Sequence, residues 1–149
     1  PEECLLDPFA GTGGILIEAG MIGIKVIGSD VQRKLLLGAK TNLDYYNVDY
    51  SLMYQDAARL ALRDKSVDSV VTDPPYGRSA AVKAESIEHL LKDSLNEIFR
   101  VLKKGKRAVF VSERDIEDVA KEAGFNVAES HLQRVHKSLT RRISVLEKR

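Results

Sequence analysis

Residues 4–14 read CLLDPFAGTGG, and this stretch decides the fold. Its apolar start, which ends at Asp7, predicts a short buried strand. The glycines that follow allow a tight turn into a helix predicted to run from Gly13 to Ala19. They also let a ligand approach the main chain, so the turn predicts an α/β sheet with a ligand at this edge.

The alternation of apolar runs and helical patterns continues along most of the chain. Apolar runs predict five strands, at residues 4–7, 25–30, 51–55, 66–73 and 107–111. The longest helix is predicted to have Ser86 as its N-cap and to end near Gly105. Two long strands without an intervening helix follow, at residues 125–135 and 140–146. The sequence therefore predicts a doubly wound parallel sheet with helices on both faces and one antiparallel strand from the final hairpin.

The composition fits one globular domain at residues 1–149, with a formal net charge of +1. No apolar run approaches the ~20 residues of a membrane helix, so no membrane association is expected. The lone cysteine, Cys4, cannot form an internal disulfide, which favours an intracellular, cytoplasmic location. The three histidines lack the spacing of metal ligands, so no metal is expected. Positive charge is concentrated in residues 125–149, where six basic side chains, including Lys148, oppose two glutamates.

Aspartates mark the ends of the first four predicted strands. Asp7, Asp30 and Asp73 are the last residues of three of these strands, and Asp56 follows the remaining one. Because the carboxyl ends of parallel strands meet at one edge of a sheet, the four carboxylates are expected to line that edge. They suit a cationic ligand, or one that presents hydroxyl and amino donors, better than a pyrophosphate. Alternatively, Asp30 or Asp56 alone could be an ordinary helix N-cap.

The glycine-rich turn fits the dinucleotide-binding pattern G-x-G-x-x-G poorly. Gly11 and Gly13 are present, but position 16 is a leucine and no phosphate-binding lysine follows Gly13. Asp30 lies 23 residues after Asp7, where the acidic partner of a ribose is expected. A dinucleotide-dependent oxidoreductase is therefore the least favoured interpretation.

Four motifs, in this order, resemble those of class I S-adenosylmethionine-dependent methyltransferases. They are DPFAGTG at residues 7–13, GSD at 28–30, QDA at 55–57 and DPPY at 73–76. The first and last motifs are most similar to those of the archaeal tRNA guanine-10 N2-methyltransferases. The resemblance implies a Rossmann-like sheet of seven strands in the order 3-2-1-4-5-7-6, with strand 7 antiparallel. It also implies S-adenosyl-L-methionine as the cofactor.

The resemblance assigns residues to the parts of that cofactor. The segment from Phe9 to Gly13 would line the methionine portion, Asp30 would hold the ribose, and Asp56 with Ala57 would contact the adenine. The complete set implied to bind the cofactor is Asp7, Phe9, Ala10, Gly11, Thr12, Gly13, Asp30, Val31, Asp56 and Ala57.

The stretch SVVTDPPYGRS, residues 69–79, suits methylation of an exocyclic amine, which is a poor nucleophile because its lone pair is delocalised into the base. Asp73 can accept one N–H of that amine and the Pro74 carbonyl the other, which stabilises positive charge that develops on the nitrogen. The prolines hold that carbonyl rigidly, and Tyr76 can stack on the base. Asp73, Pro74 and Tyr76 are therefore the predicted catalytic residues. The alternative is a Pro-Pro turn with a core tyrosine.

A base inside a duplex cannot reach such a clamp, so the target nucleotide must be flipped or unpaired. Residues 78–85 are interpreted as either a mobile lid or an ordinary loop. The turn of the last hairpin is expected to return to the catalytic edge, where its basic side chains would grip phosphates or simply be solvated. The predicted substrate-binding residues are Pro75, Gly77, Arg78, Lys137, Arg141 and Arg142.

The family resemblance favours methyl transfer to the N2 amine of a guanine in tRNA. The same clamp chemistry would serve an adenine-N6 methyltransferase on DNA or RNA, and a non-catalytic subunit that binds the cofactor or RNA is a further alternative. Relatives in the family carry an N-terminal RNA-binding region of the THUMP type. Because this sequence starts almost on its first strand, we expect that region to be missing or supplied by a second polypeptide. The expected partner is tRNA or another structured RNA.

Overall fold

The computed structural model describes residues 3–75 and 84–149. Its strands are β1 (Cys4–Asp7), β2 (Lys25–Asp30), β3 (Tyr50–Tyr54), β4 (Val67–Thr72), β5 (Leu102–Ser112), β6 (Asn126–His136) and β7 (Leu139–Glu147). They form one seven-stranded sheet in the order β3-β2-β1-β4-β5-β7-β6. The first five strands pair in parallel, and β7 is antiparallel to both β5 and β6. The predicted strand order and the antiparallel position of strand 7 are confirmed.

Helices cover both faces of the sheet, as predicted. The helices are α1 (Gly14–Met21), α2 (Arg33–Tyr45), α3 (Ala84–Val101) and α4 (Glu117–Ala123). Side chains alternate between the two faces along each strand, so the neighbours Leu5 and Leu6 enter different cores. Leu5 packs with α1 and α2, whereas Leu6 packs with α3 and α4. Within the described ranges, none of the helices combines the length and apolar character needed to span a bilayer.

The ends of α3 differ from the sequence-based prediction. The helix begins at Ala84, so Ser86 lies inside it and the predicted N-cap is wrong. The helix ends at Val101, before Gly105, which has a φ of +82° in an irregular part of β5. There the pairing between β5 and β4 shifts register. Gly105 therefore accommodates a bulge of the sheet and does not terminate the helix.

Lys148 stabilises the carboxyl end of α3 from the far end of the chain. Its Nζ donates to the carbonyl oxygens of Phe99, at 2.5 Å, and Leu102, at 2.7 Å. It also lies 4.6 Å from the centre of the Phe99 ring. A lysine at this position satisfies carbonyl groups that have no partner within the helix. Because Lys148 is only 6% exposed, it is not a surface charge, although it counts among the six basic side chains of residues 125–149.

Candidate active site

The carboxyl ends of β1 to β4 surround a cavity of about 390 Å³. Its wall combines the glycine-rich turn and the acidic ends of β2 and β3 with the first residues of the DPPY motif. Of the predicted site residues, those that line it are Phe9, Gly11, Asp30, Val31, Asp56, Ala57, Asp73 and Pro75.

The turn after β1 is built by hydrogen bonds between the backbone and carboxylates. Gly11 has a φ of +55°, a conformation that glycine adopts without steric cost. This conformation directs the Gly11 N–H to Oδ2 of Asp30, at 3.0 Å. The Phe9 N–H donates to Oδ1 of Asp7, also at 3.0 Å. Asp7 and Asp30, each the last residue of its strand, therefore hold this turn in place.

Asp30 joins this turn to the start of α2. Its Oδ1 accepts the N–H of Gln32 at 2.9 Å, while its Oδ2 accepts the N–H of Gly11. The N-cap of α2 is Gln32, which disfavours the interpretation of Asp30 as a simple helix cap. Each carboxylate oxygen has two lone pairs, so acceptor capacity remains toward the cavity for hydroxyl donors.

Asp56 and Ala57 line the cavity just after β3. Asp56 is exposed, and its Oδ1 accepts the Ala58 N–H at 2.9 Å, which forms a local turn. Ala57 is 2% exposed and holds this turn against the body of the domain. No helix begins directly at Asp56, so its carboxylate is not a helix cap.

Asp7 lies behind the cavity and does not line it. It is 1% exposed, and its Oδ1 accepts from the Phe9 N–H and, at 2.6 Å, from the Thr72 hydroxyl. Burial raises the pKa of this carboxyl from 3.8 to about 6, and the carboxylates of Asp73 and Asp30 act in the same direction. Asp7 therefore ties β1 to β4 and adds negative charge close to the cavity when it ionises.

Ala10, Thr12 and Gly13 also shape the turn without lining the cavity. The Ala10 N–H donates to the Ser29 carbonyl at 2.9 Å, and the Thr12 carbonyl accepts from the Asn42 side chain at the same distance. Gly13 packs so tightly that an added Cβ would lie 3.3 Å from the Cβ of Ala39. These predicted cofactor residues position the backbone of the turn.

Asp73 follows β4 directly, and its two carboxylate oxygens lie in different surroundings. Its Oδ1 is buried and has no hydrogen-bond partner among the described residues. Its Oδ2 lies 3.8 Å from Nη1 of Arg141. Pro74 is buried and contributes to a second, much smaller cavity with Ile87 and Leu91 of α3. Oδ1 is thus an acceptor without a partner on a residue that lines the cavity, and a donor that reached it would satisfy it.

The remaining part of the predicted clamp is Tyr76, Gly77 and Arg78, which lies outside the described residues. The choice between a lid and an ordinary loop for residues 78–85 also falls largely there. These assignments stay predictions.

The basic side chains of the last hairpin separate in the structure. Arg141 reaches Asp73, but Arg142 is the next residue of β7 and points to the opposite face. The Nη1 of Arg142 lies 3.4 Å from the Ser130 hydroxyl. Lys137 is exposed in the turn between β6 and β7. The three therefore do not form one common surface.

Among the residues that the structure describes, four line the cavity that the sequence analysis did not predict: Pro8, Gln32, Leu35 and Leu90. Pro8 lies within the DPFAGTG motif, and Gln32 and Leu35 follow Asp30 at the start of α2, so proximity to the motifs is a usable signal. Leu90 comes from α3, and only the packing of that helix over β4 brings it to the cavity.

Comparison with known proteins identifies similar chains. The chain is 43% identical over 148 residues to tRNA (guanine(10)-N2)-dimethyltransferase of Pyrococcus abyssi, a match that covers 97% of this chain and 45% of the relative. It is 40% identical to the enzyme of the same name from Methanothermobacter thermautotrophicus, covering 97% of this chain and 43% of that one. The chain thus spans less than half the length of these two relatives.

The fold is similar to that of TrmN from Thermus thermophilus, with a TM-score of 0.84 and 25% identity. The match covers 100% of this chain and 45% of TrmN. Residues 1–143 match the family described as UPF0020, RMKL-like, methyltransferase domain. The predicted resemblance is confirmed, and the chain belongs to this family of class I S-adenosylmethionine-dependent methyltransferase domains.

Proposed function

We propose that this chain transfers a methyl group from S-adenosyl-L-methionine to the exocyclic N2 amine of a guanine in tRNA. The observation that carries the proposal is that a single cavity has Gly11, Asp30 and Asp56 on one side and Asp73 and Pro75 on the other. A donor site and an acceptor clamp that share one cavity bring two reactants within reacting distance. The names of the similar archaeal proteins specify guanine N2 in tRNA.

The side chains around the cavity suit S-adenosylmethionine, which when bound supplies an electrophilic methyl group on a cationic sulfur. Asp30 retains lone pairs for the two ribose hydroxyls, in addition to the two N–H groups that it already accepts. Asp56 and Ala57 line the same cavity, and we assign them to the adenine. The carboxylates of Asp73 and Asp30 lie close enough to Asp7 to help raise its pKa, so the three together favour a cationic ligand at this edge.

The clamp would act on the incoming amine through acceptors held in advance. Oδ1 of Asp73 is buried and unpartnered among the described residues, so it can accept one N–H of the amine without breaking an existing bond there. The Pro74 carbonyl would accept the other N–H, and Tyr76 would stack on the base. Acceptors aimed at the nitrogen stabilise the positive charge that develops on it during transfer.

We infer that the partner is tRNA or a comparable structured RNA. It would bind partly through basic side chains of the hairpin formed by β6 and β7, namely Lys137, Arg141 and Arg142. We further infer, from the family resemblance alone, that an RNA-binding region of the THUMP type would strengthen that contact. A tRNA substrate and a lone cysteine both suit the reducing cytoplasm.

Mass spectrometry of nucleosides tests the proposal directly. Unmodified tRNA is incubated with the protein and labelled S-adenosylmethionine and is then digested. Labelled N2-methylguanosine or its dimethyl form is the expected product. Labelled N6-methyladenosine would favour the adenine alternative instead. Calorimetry with S-adenosylmethionine and NAD separates the remaining classes: binding of NAD alone would exclude a methyltransferase, and binding of S-adenosylmethionine without any transfer would favour a non-catalytic subunit.

A further inference from the structure

We propose that Arg141 is a specificity-determining residue that makes the enzyme prefer a guanine within a phosphate-bearing polynucleotide over free guanosine. Without RNA its guanidinium lies beside the acceptor Asp73, and a phosphate of the bound strand draws it away. The proposal rests on the proposed function, because it assigns Asp73 to the clamp that receives the base.

The ends of the strands explain how an arginine of β7 reaches a carboxylate after β4. In the sheet, β5 separates these two strands. The last residue of β5 is Ser112, whose partner on β7 is Arg142. Arg141 lies one residue beyond this last pair, so its side chain crosses the open end of β5. Its Nη1 thereby comes within 3.8 Å of Oδ2 of Asp73.

Gln133 holds the guanidinium in this direction. It is the direct partner of Arg141 in the antiparallel pairing of β6 and β7. Its Oε1 accepts the Arg141 Nε–H at 2.7 Å. The bond engages Nε and leaves the two Nη groups to pair with an anion, which is Asp73 in this structure. Gln133 is therefore a positioning residue that acts through Arg141.

The ion pair between Arg141 and Asp73 is weak enough for a phosphate to replace Asp73 as the partner of the guanidinium. The distance of 3.8 Å is within ion-pair range but too long for a hydrogen bond. The two side chains are 33% and 35% exposed, so water screens their attraction. Exposed pairs of this kind contribute little to the stability of a fold. A phosphate can compete for the guanidinium because it offers several charged acceptors in a geometry that arginine matches well.

The chemistry of the clamp requires this exchange. A cation beside Asp73 opposes the positive charge that develops on the amine during transfer, so the clamp is fully competent only after Arg141 has moved. A strand of RNA supplies both the base and the phosphate that moves Arg141. Free guanosine has no phosphate, so its amine must bind Oδ1 of Asp73 while the guanidinium beside Oδ2 still neutralises part of the carboxylate charge.

Binding measurements test the proposal independently of catalysis. The affinities of wild type and Arg141→Met are measured for guanosine and for a short single-stranded oligoribonucleotide that contains one guanosine. We expect the variant to bind guanosine about two- to fivefold more tightly, the range that loss of an exposed ion pair allows. It should bind the oligonucleotide more weakly, with a salt slope smaller by about 0.7, which corresponds to one lost phosphate contact. The matched control is Arg107→Met, because Arg107 makes an exposed pair with Glu147 at the opposite edge of the sheet. It should change neither affinity.

A second measurement follows Arg141 itself by NMR. The Nε–H signal of Arg141 should shift when the oligonucleotide is added and should hardly shift with guanosine. Gln133→Ala, which frees the guanidinium, should strengthen guanosine binding in the same direction as Arg141→Met by a smaller factor.

Opposite results overturn the proposal. Equal weakening of guanosine and oligonucleotide binding in Arg141→Met would make Arg141 an ordinary contact to the base, and an Arg141 signal that ignores the oligonucleotide would exclude the exchange. The outcome is separable from that of the proposed function. If the binding pattern holds but no methylguanosine forms in RNA, only the proposed reaction fails.

Discussion

The backbone N–H of Gly11 donates to Oδ2 of Asp30 at 3.0 Å, although 19 residues separate them in the sequence. The other oxygen of the same carboxylate accepts the Gln32 N–H at 2.9 Å. One side chain thus fixes both the turn after β1 and the entrance to α2, and it also lines the cavity. The shape of the site and its charge depend on the same carboxylate.

Asp30→Asn should therefore reduce both stability and affinity for S-adenosylmethionine. An amide has only one acceptor oxygen, so one of the two N–H groups would face an NH₂ group in place of a carboxylate. We expect a loss of about 1–2 kcal/mol in the free energy of unfolding, measured with urea, because a donor in a partly buried hydrogen bond loses its partner. Calorimetry should show affinity for the cofactor falling by about tenfold or more, ~1.4 kcal/mol.

Asp56→Asn is the stability control for this variant. Its exposed side chain accepts only the Ala58 N–H, which an amide oxygen can still accept. Its free energy of unfolding should change by less than about 0.5 kcal/mol. If Asp30→Asn bound the cofactor as tightly as the wild type, Asp30 would not belong to the cofactor site.

Asp73→Ala should abolish methyl transfer while the affinity for S-adenosylmethionine stays within about tenfold, a difference of ~1.4 kcal/mol. The reason is that Oδ1 of Asp73 has no partner among the described residues and is assigned to the incoming amine. Transfer is measured with labelled cofactor, and affinity by calorimetry on the same preparation. Because Asp73 lines the same cavity as Asp30, an equal loss of transfer and of cofactor affinity would assign it to the cofactor instead.

Asp7 should make the stability of the protein depend on pH. Burial raises its pKa from 3.8 to about 6, so the folded protein holds this proton more tightly than the unfolded chain does. The resulting contribution to stability is present below pH ~4 and is lost as the pH rises through ~6, and it amounts to roughly 2–3 kcal/mol.

The variant Asp7→Asn isolates this contribution. The amide oxygen can still accept from the Phe9 N–H and the Thr72 hydroxyl, but the side chain no longer ionises. In urea unfolding the variant should be more stable than the wild type at pH 8, and the difference should disappear near pH 4. Parallel stability curves for the two proteins between pH 4 and pH 8 would show that the ionisation of Asp7 has no such effect.

The sequence predicts the sheet well because its signals are local. The bounds of β1 and β2 agree with the prediction, since an apolar run ends in each case on an aspartate that the following turn requires. The carboxyl end of α3 could not be found in this way. That end depends on Lys148, which reaches the carbonyls of Phe99 and Leu102 from 49 and 46 residues away. A contact of this kind has no local signature.

The sequence predicts those parts of the candidate site that lie at the ends of the parallel strands. It does not predict the parts that depend on how β7 is aligned with β5. The four aspartates meet at one edge because parallel strands run in the same direction. Arg141 and Arg142, however, are adjacent in sequence and lie on opposite faces, and the register of β7 against β5 decides which of them reaches Asp73. A shift of one residue would exchange their positions.

Arg100 of α3 fastens the loop that carries the proposed adenine contacts. Its guanidinium donates to the carbonyls of Leu60, at 2.9 Å, and Leu62, at 2.8 Å, and forms an ion pair with Asp64 at 2.8 Å. Glu97 orients the guanidinium and accepts the Leu60 N–H at 2.8 Å. The loop that begins with Asp56 and Ala57 is thus tied to the helix at several points.

Arg100→Met should lower the free energy of unfolding by about 2 kcal/mol, because two partly buried carbonyl groups lose their donors. The affinity for S-adenosylmethionine should fall severalfold, since the loop can then move away from the cavity. Chemical unfolding and calorimetry measure the two effects. The matched control is Arg63→Met, which removes an exposed arginine from the same loop and should change the stability by less than about 0.5 kcal/mol.

Comparing the loss of stability with the loss of cofactor affinity in Arg100→Met shows whether α3 positions this loop. If Arg100→Met lost stability but bound the cofactor as the wild type does, at a temperature where both are fully folded, then Asp56 and Ala57 would be held by the end of β3 alone. The Gln55 N–H, which donates to the Asp30 carbonyl at 3.3 Å, offers such an anchor. A loss of affinity together with the loss of stability would show that α3 positions the adenine side of the cavity from behind.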